Sequence, residues 1–139
     1  MATNPKFVIF AHNATYDKLH QVATLGMTAA AMGKDVIIVL LFWTIKKLAE
    51  GRIDEVDFPP EYASAAGEVT RLLKEKKVPK ISEMLQDAKH VGTVRLIACS
   101  AGLEYMGVDS MAVEKNVDEV MGLPAILKLT AEAETKLFI

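Results

Sequence analysis

The chain has 139 residues, of which 51% are hydrophobic and 24% charged, with a formal net charge of -2. This describes one globular domain, residues 1–139, with interior enough to fold without disulfides or metal, and it offers no basic footprint for nucleic acid. A single cysteine excludes an internal disulfide, and the longest apolar run, Val36 to Trp43, falls far short of the roughly 20 residues that a membrane-spanning helix needs. The apolar stretch before His12 is too short for a signal-peptide core, so the cytoplasm is the expected compartment and no membrane is involved.

The run KFVIFAH, Lys6 to His12, is apolar and rich in β-branched residues, which predicts a buried strand. From Tyr16 to Met32 the apolar positions Leu19, Val22, Ala23, Leu25 and Met27 predict a helix of small residues that Gly33 stops. DVIIVLLF, from Asp35, reads as a second strand that is apolar on both faces, the mark of a parallel sheet covered by helices. Thr44 to Glu50 predicts a short helix closed by Gly51. The acidic stretch Gly51 to Tyr62, stiffened by Pro59 and Pro60, predicts an irregular loop able to act as a lid.

Ala63 to Lys77 predicts a helix ending in a lysine cluster, Lys74, Lys76, Lys77 and Lys80, which reads as a solvated face. Ser82 is the expected N-cap of the next helix, which Gly92 ends, and TVRLIAC, Thr93 to Cys99, is the third strand. SAGLEYMG can make about two helical turns with Leu103 and Met106 inward. Lys115 to Leu123 predicts a fourth strand, Pro124 to Glu134 a helix with its proline in the first turn, and Thr135 to Ile139 a fifth strand. Strands alternating with helices make an α/β sandwich around a mainly parallel sheet.

Ligands of such sheets bind beyond the carboxyl ends of the strands, and Cys99 ends the third. At the start of a helix its thiolate would be favoured by the dipole and by free backbone N–H groups. These belong to Ser100, Ala101 and Gly102, and they would also hold a persulfide anion. A thiolate there can attack sulfur electrophiles. The bland reading stands beside this one, because free cysteines are among the most buried residues and serve as packing. A phosphatase-like or rhodanese-like loop would place an arginine shortly after the thiol, and Ser100 to Val108 contains none. A thioredoxin-like or metal site would need a second cysteine.

Three stretches carry a family resemblance: Phe7 to Leu48, with TAAAMGKDV and the strand end FW; ISEMLQDAKHVGTVRLIACSAGLEYMGV; and the ending AETKLFI. Together they resemble the DsrE/DsrF-like family, in its single-domain branch that has carried a peroxiredoxin-like label. The resemblance spans nearly the whole chain and is weakest from Gly51 to Lys77. It implies a three-layer α/β/α fold with a five-stranded parallel sheet, homo-oligomeric assembly, no redox or organic cofactor, and intracellular sulfur trafficking. It also implies that Cys99 carries persulfide or thiosulfonate sulfur, loaded from a donor such as thiosulfate or polysulfide and exchanged with a TusA-like carrier protein. Some members have a second cysteine a few residues on, where this chain has Ser100 to Val108, so no intramolecular resolving step is available.

Near the same end of the sheet, His12, Asn13 and Thr15 follow the first strand as candidates to hydrogen-bond a ligand or supply a general acid. Trp43, with Phe42, is a candidate pocket wall. Plain core is the alternative for the aromatics, and local backbone partners for His12. His20 and His90 read as surface residues, and Lys46 and Lys47 as an exposed, solvated pair. Glu104 is compatible with a thiolate only if it points outward. Two function classes therefore stand: a sulfur carrier or sulfurtransferase working through Cys99, and an oligomeric small-ligand or protein-binding module in which Cys99 is structural packing. Solvent access to the thiol separates them. No glycine-rich dinucleotide or phosphate loop is present.

Overall fold

The structure, a computed structural model, describes residues 3–139; the first two residues of the expected domain lie outside the described residues. Five strands, β1 (Lys6–Ala11), β2 (Asp35–Leu40), β3 (Val94–Cys99), β4 (Glu119–Met121) and β5 (Thr135–Phe138), form one sheet in the order β4-β3-β2-β1-β5. Every pairing is parallel. Val36 to Leu40 are all buried, as expected of a central strand with apolar residues on both faces.

Between the strands lie α1 (Tyr16–Ala31), α2 (Trp43–Ala49), α3 (Ala66–Glu75), α4 (Ile81–Val91), α5 (Ser100–Tyr105), α6 (Ser110–Glu114) and α7 (Leu123–Thr130). The steps from β1 through β4 run in one direction across the sheet, so right-handed crossovers put their helices on one face. There α1 packs against α4, and Gly26 lets α1 approach Val36 and Ile38. The step from β4 back past β1 to β5 reverses direction and puts α7 on the other face, where Lys6 Nζ donates to the Leu129 carbonyl at 2.8 Å. This makes three layers, and the switch in strand direction falls at β1.

Several local expectations are corrected. The predicted helix from Ala63 splits into a 3-10 turn, Pro60–Ala65, and α3, and neither has a fully buried residue. Ser82 is not the N-cap of α4; Lys80 is, with its N–H donating to Glu83 Oε2 at 3.0 Å. Ser82 lies one residue inside the helix, where its N–H and hydroxyl donate to the Asp54 carboxylate at 2.9 and 2.6 Å. That bond anchors the acidic loop to α4, so an aspartate from elsewhere in the chain performs the capping role. The helix α6 was not anticipated; Asp109, which caps it through the Met111 N–H at 3.1 Å, is its sequence signal.

Candidate functional site

The register aligns Ala11, Leu40 and Ala98 across the carboxyl end of the sheet, and the candidate residues follow directly after them. Two distinct regions result, centred about two strand spacings, roughly 10 Å, apart.

The first lies beyond β1 and β2. The chain leaves β2 through Phe42, whose φ of 51° is unusual for a residue with a side chain. Thr44, fully buried, holds this turn: its hydroxyl donates to the Ala11 carbonyl at 2.8 Å and accepts from the Leu41 N–H at 3.0 Å. The turn lifts Phe42 and Trp43 into solvent, 50% and 56% exposed, so neither is core. Trp43 instead walls a crevice of about 430 Å³ with Asn13, Thr15, Lys46, Lys47 and Asp57. His12 is exposed and absent from the crevice wall; its N–H and that of Asn13 donate to the Ile139 carbonyl at 2.9 and 3.3 Å.

The crevice floor corrects the expected lysine pair. Lys46 is exposed, but Lys47 is 4% exposed, and its ammonium donates to the Ala14 carbonyl at 2.7 Å, the Glu55 carbonyl at 3.2 Å and Asp57 Oδ1 at 2.7 Å. All three donors are used, so the group ties α2 to the acidic loop. Asp57 also accepts the first N–H of α1, from Tyr16, at 2.9 Å, supplying the cap that Thr15 does not. Arg52, between Glu55 and Glu50, is held firmly protonated by its hydrogen bonds to them, and Glu55 in turn is held more acidic than usual by Arg52. Lys47, Arg52 and Asp57 were not anticipated as neighbours of Asn13. For Lys47 the available signal was its position three residues after Thr44, on the inward face of a short helix.

The second region is Cys99. It ends β3 beside Met121 and is the N-cap residue of α5, as the sequence predicts, and strand alternation puts its side chain on the α7 face with Ile97. It is 3% exposed. Gly102 permits a close approach of α5 to α2: a Cβ there would lie 2.5 Å from Ile45 Cδ1 and 3.9 Å from the Cβ of Cys99. Ser100 is exposed, Ala101 half-buried and Gly102 buried, and Glu104 and Tyr105 point to solvent. The structure therefore joins Asn13, Thr15 and Trp43 in one crevice and leaves Cys99, with Ser100 to Gly102, outside it.

Nearly the whole chain is similar in fold to two proteins of unknown function, each at 15% identity. One, from Bacteroides thetaiotaomicron, matches with a TM-score of 0.62 over 97% of this chain and 95% of its own. The other, from Methanobacterium thermoautotrophicum, matches at 0.53 over 98% and 100%. No curated protein matches the sequence. Residues 61–138, which hold β3, Cys99, β4, α7 and β5, match the DsrE/DsrF/DrsH-like family. This match covers more than half of the chain and agrees with the parallel five-stranded sheet: the protein belongs to the DsrE/DsrF/DrsH-like family, which is associated with sulfur relay.

Proposed function

We propose that the protein is a sulfur carrier in which Cys99 receives and passes on a single sulfur. The observation that carries this reading is the position of the only cysteine, at the carboxyl end of β3 and the start of α5, in a family associated with sulfur relay. In the loading step the Cys99 thiolate attacks the outer sulfur of thiosulfate. The new S–S bond forms on Cys99, the bond to the sulfonate sulfur breaks, and sulfite leaves with the electron pair. A persulfide or polysulfide donor reacts alike, releasing a thiolate. In the unloading step the thiolate of a TusA-like carrier attacks the outer sulfur and Cys99 leaves as thiolate. No electrons are gained or lost overall, and the second step requires a partner because the chain has no other thiol.

Cys99 is buried and is the N-cap residue of α5, a six-residue helix with only Gly102 and Leu103 buried, so in this reading local unwinding of α5 frees the end of β3 that carries the thiol and acts as the gate. The reading includes assembly of several copies in the cytoplasm. Leu123, Leu127 and Phe138, exposed on the α7 side, support a subunit interface there. Intact-protein mass spectrometry after incubation with thiosulfate, tetrathionate or polysulfide tests the chemistry. A reducible gain of one or more sulfurs, or of a thiosulfonate group, is expected in the wild type and not in Cys99→Ser.

A second reading, a binding module with Cys99 as packing, is favoured by one observation: the crevice beside Asn13 and Trp43 is open, whereas the thiol is buried. Absence of any adduct on a folded protein whose thiol also resists alkylation would replace the first reading with this one.

A further inference from the structure

Asn13, Thr15 and Trp43 take no part in the chemistry proposed for Cys99, yet they line one crevice of about 430 Å³ beyond the carboxyl ends of β1 and β2. That volume falls within the range of ordinary small-molecule sites, roughly 300–1,000 Å³, and the place is where open parallel sheets bind ligands. Trp43 is brought there by a strained turn. Phe42, at φ 51° and ψ -112°, has the conformation of the first central residue of a type II′ turn, where glycine is the usual occupant, and the Thr44 N–H donates back to the Leu41 carbonyl at 3.3 Å. The fully buried Thr44 ties this turn to β1 through its hydroxyl. The fold thus holds an indole half-exposed at the wall of a crevice, where a flat ring can stack on it.

The charges around the crevice answer one another. Lys47 pairs with Asp57, and Arg52 pairs with Glu50 and with Glu55. Lys46 is exposed and in no ion pair among the described residues, and a single exposed charge contributes little to binding. An anion such as phosphate would meet the Glu50 and Asp57 carboxylates, and a purely apolar ligand would strip water from all these groups without replacing it. The groups left free for recognition are uncharged: the Asn13 amide, the Thr15 hydroxyl and the Trp43 indole N–H make no hydrogen bond among the described residues. An amide presents a donor and an acceptor side by side, which matches the edge of adenine, whose exocyclic amine donates and whose neighbouring ring nitrogen accepts.

We infer that the crevice binds an uncharged purine of the adenine type, as the free base or its nucleoside. The ring stacks on Trp43, its amine and neighbouring ring nitrogen meet the Asn13 amide, and the Thr15 hydroxyl serves a second polar atom of the ligand. Glu50 and Asp57 disfavour a phosphate chain, in keeping with a sequence that has no glycine-rich phosphate loop. The inference goes beyond sulfur chemistry and does not depend on it, because Cys99 lies outside the crevice.

Trp43 is the only tryptophan, so the intrinsic fluorescence of the full chain, excited beyond the absorption of the purine, reports on the crevice directly. Adenosine is expected to quench it saturably and ribose to leave it unchanged. Inosine, whose edge accepts where that of adenine donates, is expected to bind roughly fivefold more weakly, and adenosine monophosphate no more tightly than adenosine. By calorimetry, Trp43→Ala is expected to weaken adenosine binding about tenfold, the loss of one stacked face. Asn13→Ala is expected to weaken it by a similar factor and to erase the preference over inosine, while Cys99→Ser leaves it unchanged. Asn13 and Trp43 are both exposed, and urea midpoints close to that of the wild type confirm that the variants are folded. No saturable quenching, equal quenching by ribose, equal affinity for inosine, or affinity untouched by both crevice variants would overturn the inference. So would tighter binding of the monophosphate, which would mark the crevice as an anion site. Any of these results leaves sulfur loading on Cys99 to its own test by mass.

Discussion

Access to Cys99 can be predicted from what α5 buries. Opening the helix exposes Leu103, 8% exposed when closed, at a cost of about 1.5–3 kcal/mol for its side chain, and a six-residue helix adds little of its own. An opening free energy of about 3 kcal/mol leaves the thiol accessible in roughly one molecule in 100, since each 1.4 kcal/mol is tenfold. Labelling by an aromatic disulfide reagent should therefore be about 100-fold slower in native protein than in guanidinium chloride. Gly102→Ala should shift this balance. Its Cβ would meet Ile45 Cδ1 at 2.5 Å and the Phe42 nitrogen at 3.6 Å. Overpacking of this kind costs about 1–3 kcal/mol, and about 1 kcal/mol returns through the better helix propensity of alanine. The closed state loses about 1 kcal/mol, and labelling accelerates roughly fivefold with little dependence on low denaturant concentrations. Global unfolding of a domain costs about 5–15 kcal/mol, so protection beyond about 10,000-fold, falling with denaturant along the global transition and unaffected by Gly102→Ala, would refute the gate and identify Cys99 as packing.

Removing Asp57 by Asp57→Ala deprives the buried Lys47 ammonium of its carboxylate and leaves it two carbonyls, so about 2–3 kcal/mol of stability should be lost in urea titration. That figure lies below the full cost of an orphaned buried charge because the Asp57 side chain is 35% exposed; a change under about 0.5 kcal/mol would contradict the tie between α2 and the acidic loop. Gly92→Ala places a Cβ 2.7 Å from the Ala30 carbonyl oxygen, a backbone atom of α1, and should cost about 3 kcal/mol and lower Tm by roughly 10 °C; an unchanged thermal midpoint would show that α4 can move away freely. For Asp118 burial raises the carboxyl pKa, but hydrogen bonds from Lys89 Nζ and the Leu96 N–H outweigh it and leave a net lowering. A lowered folded-state value contributes stability that is present above the unfolded value near 3.9 and is lost as pH falls through the folded one. Asp118→Asn should thus be less stable than wild type at neutral pH and approach it in acid, and a gap that widens on acidification would reverse the sign assigned here.

Much of the scaffold was legible because it depends on local pattern. The unbroken VIIVL of β2 could be satisfied only with both faces covered, the small residues of α1 suit close packing on that sheet, and the end of an apolar run placed Cys99 at the last position of β3. Glycine at 33, 51 and 107 has positive φ, and each follows a helix that the pattern had ended there. The site was less legible. A lysine beside another lysine reads as solvated, and Lys47 is buried only because Ala14, Glu55 and Asp57, remote in sequence, bring oxygen atoms to it.

The sequence by itself determined the α/β class, the mainly parallel sheet and the position of its one thiol at the end of a strand, because strand and helix periods and chain punctuation are properties of neighbouring residues. The tertiary structure alone decided that strand order reverses at β1, and that Asn13, Thr15 and Trp43 share a crevice while Cys99 is buried outside it. Burial and juxtaposition depend on which remote segments pack together, and no local spacing encodes that.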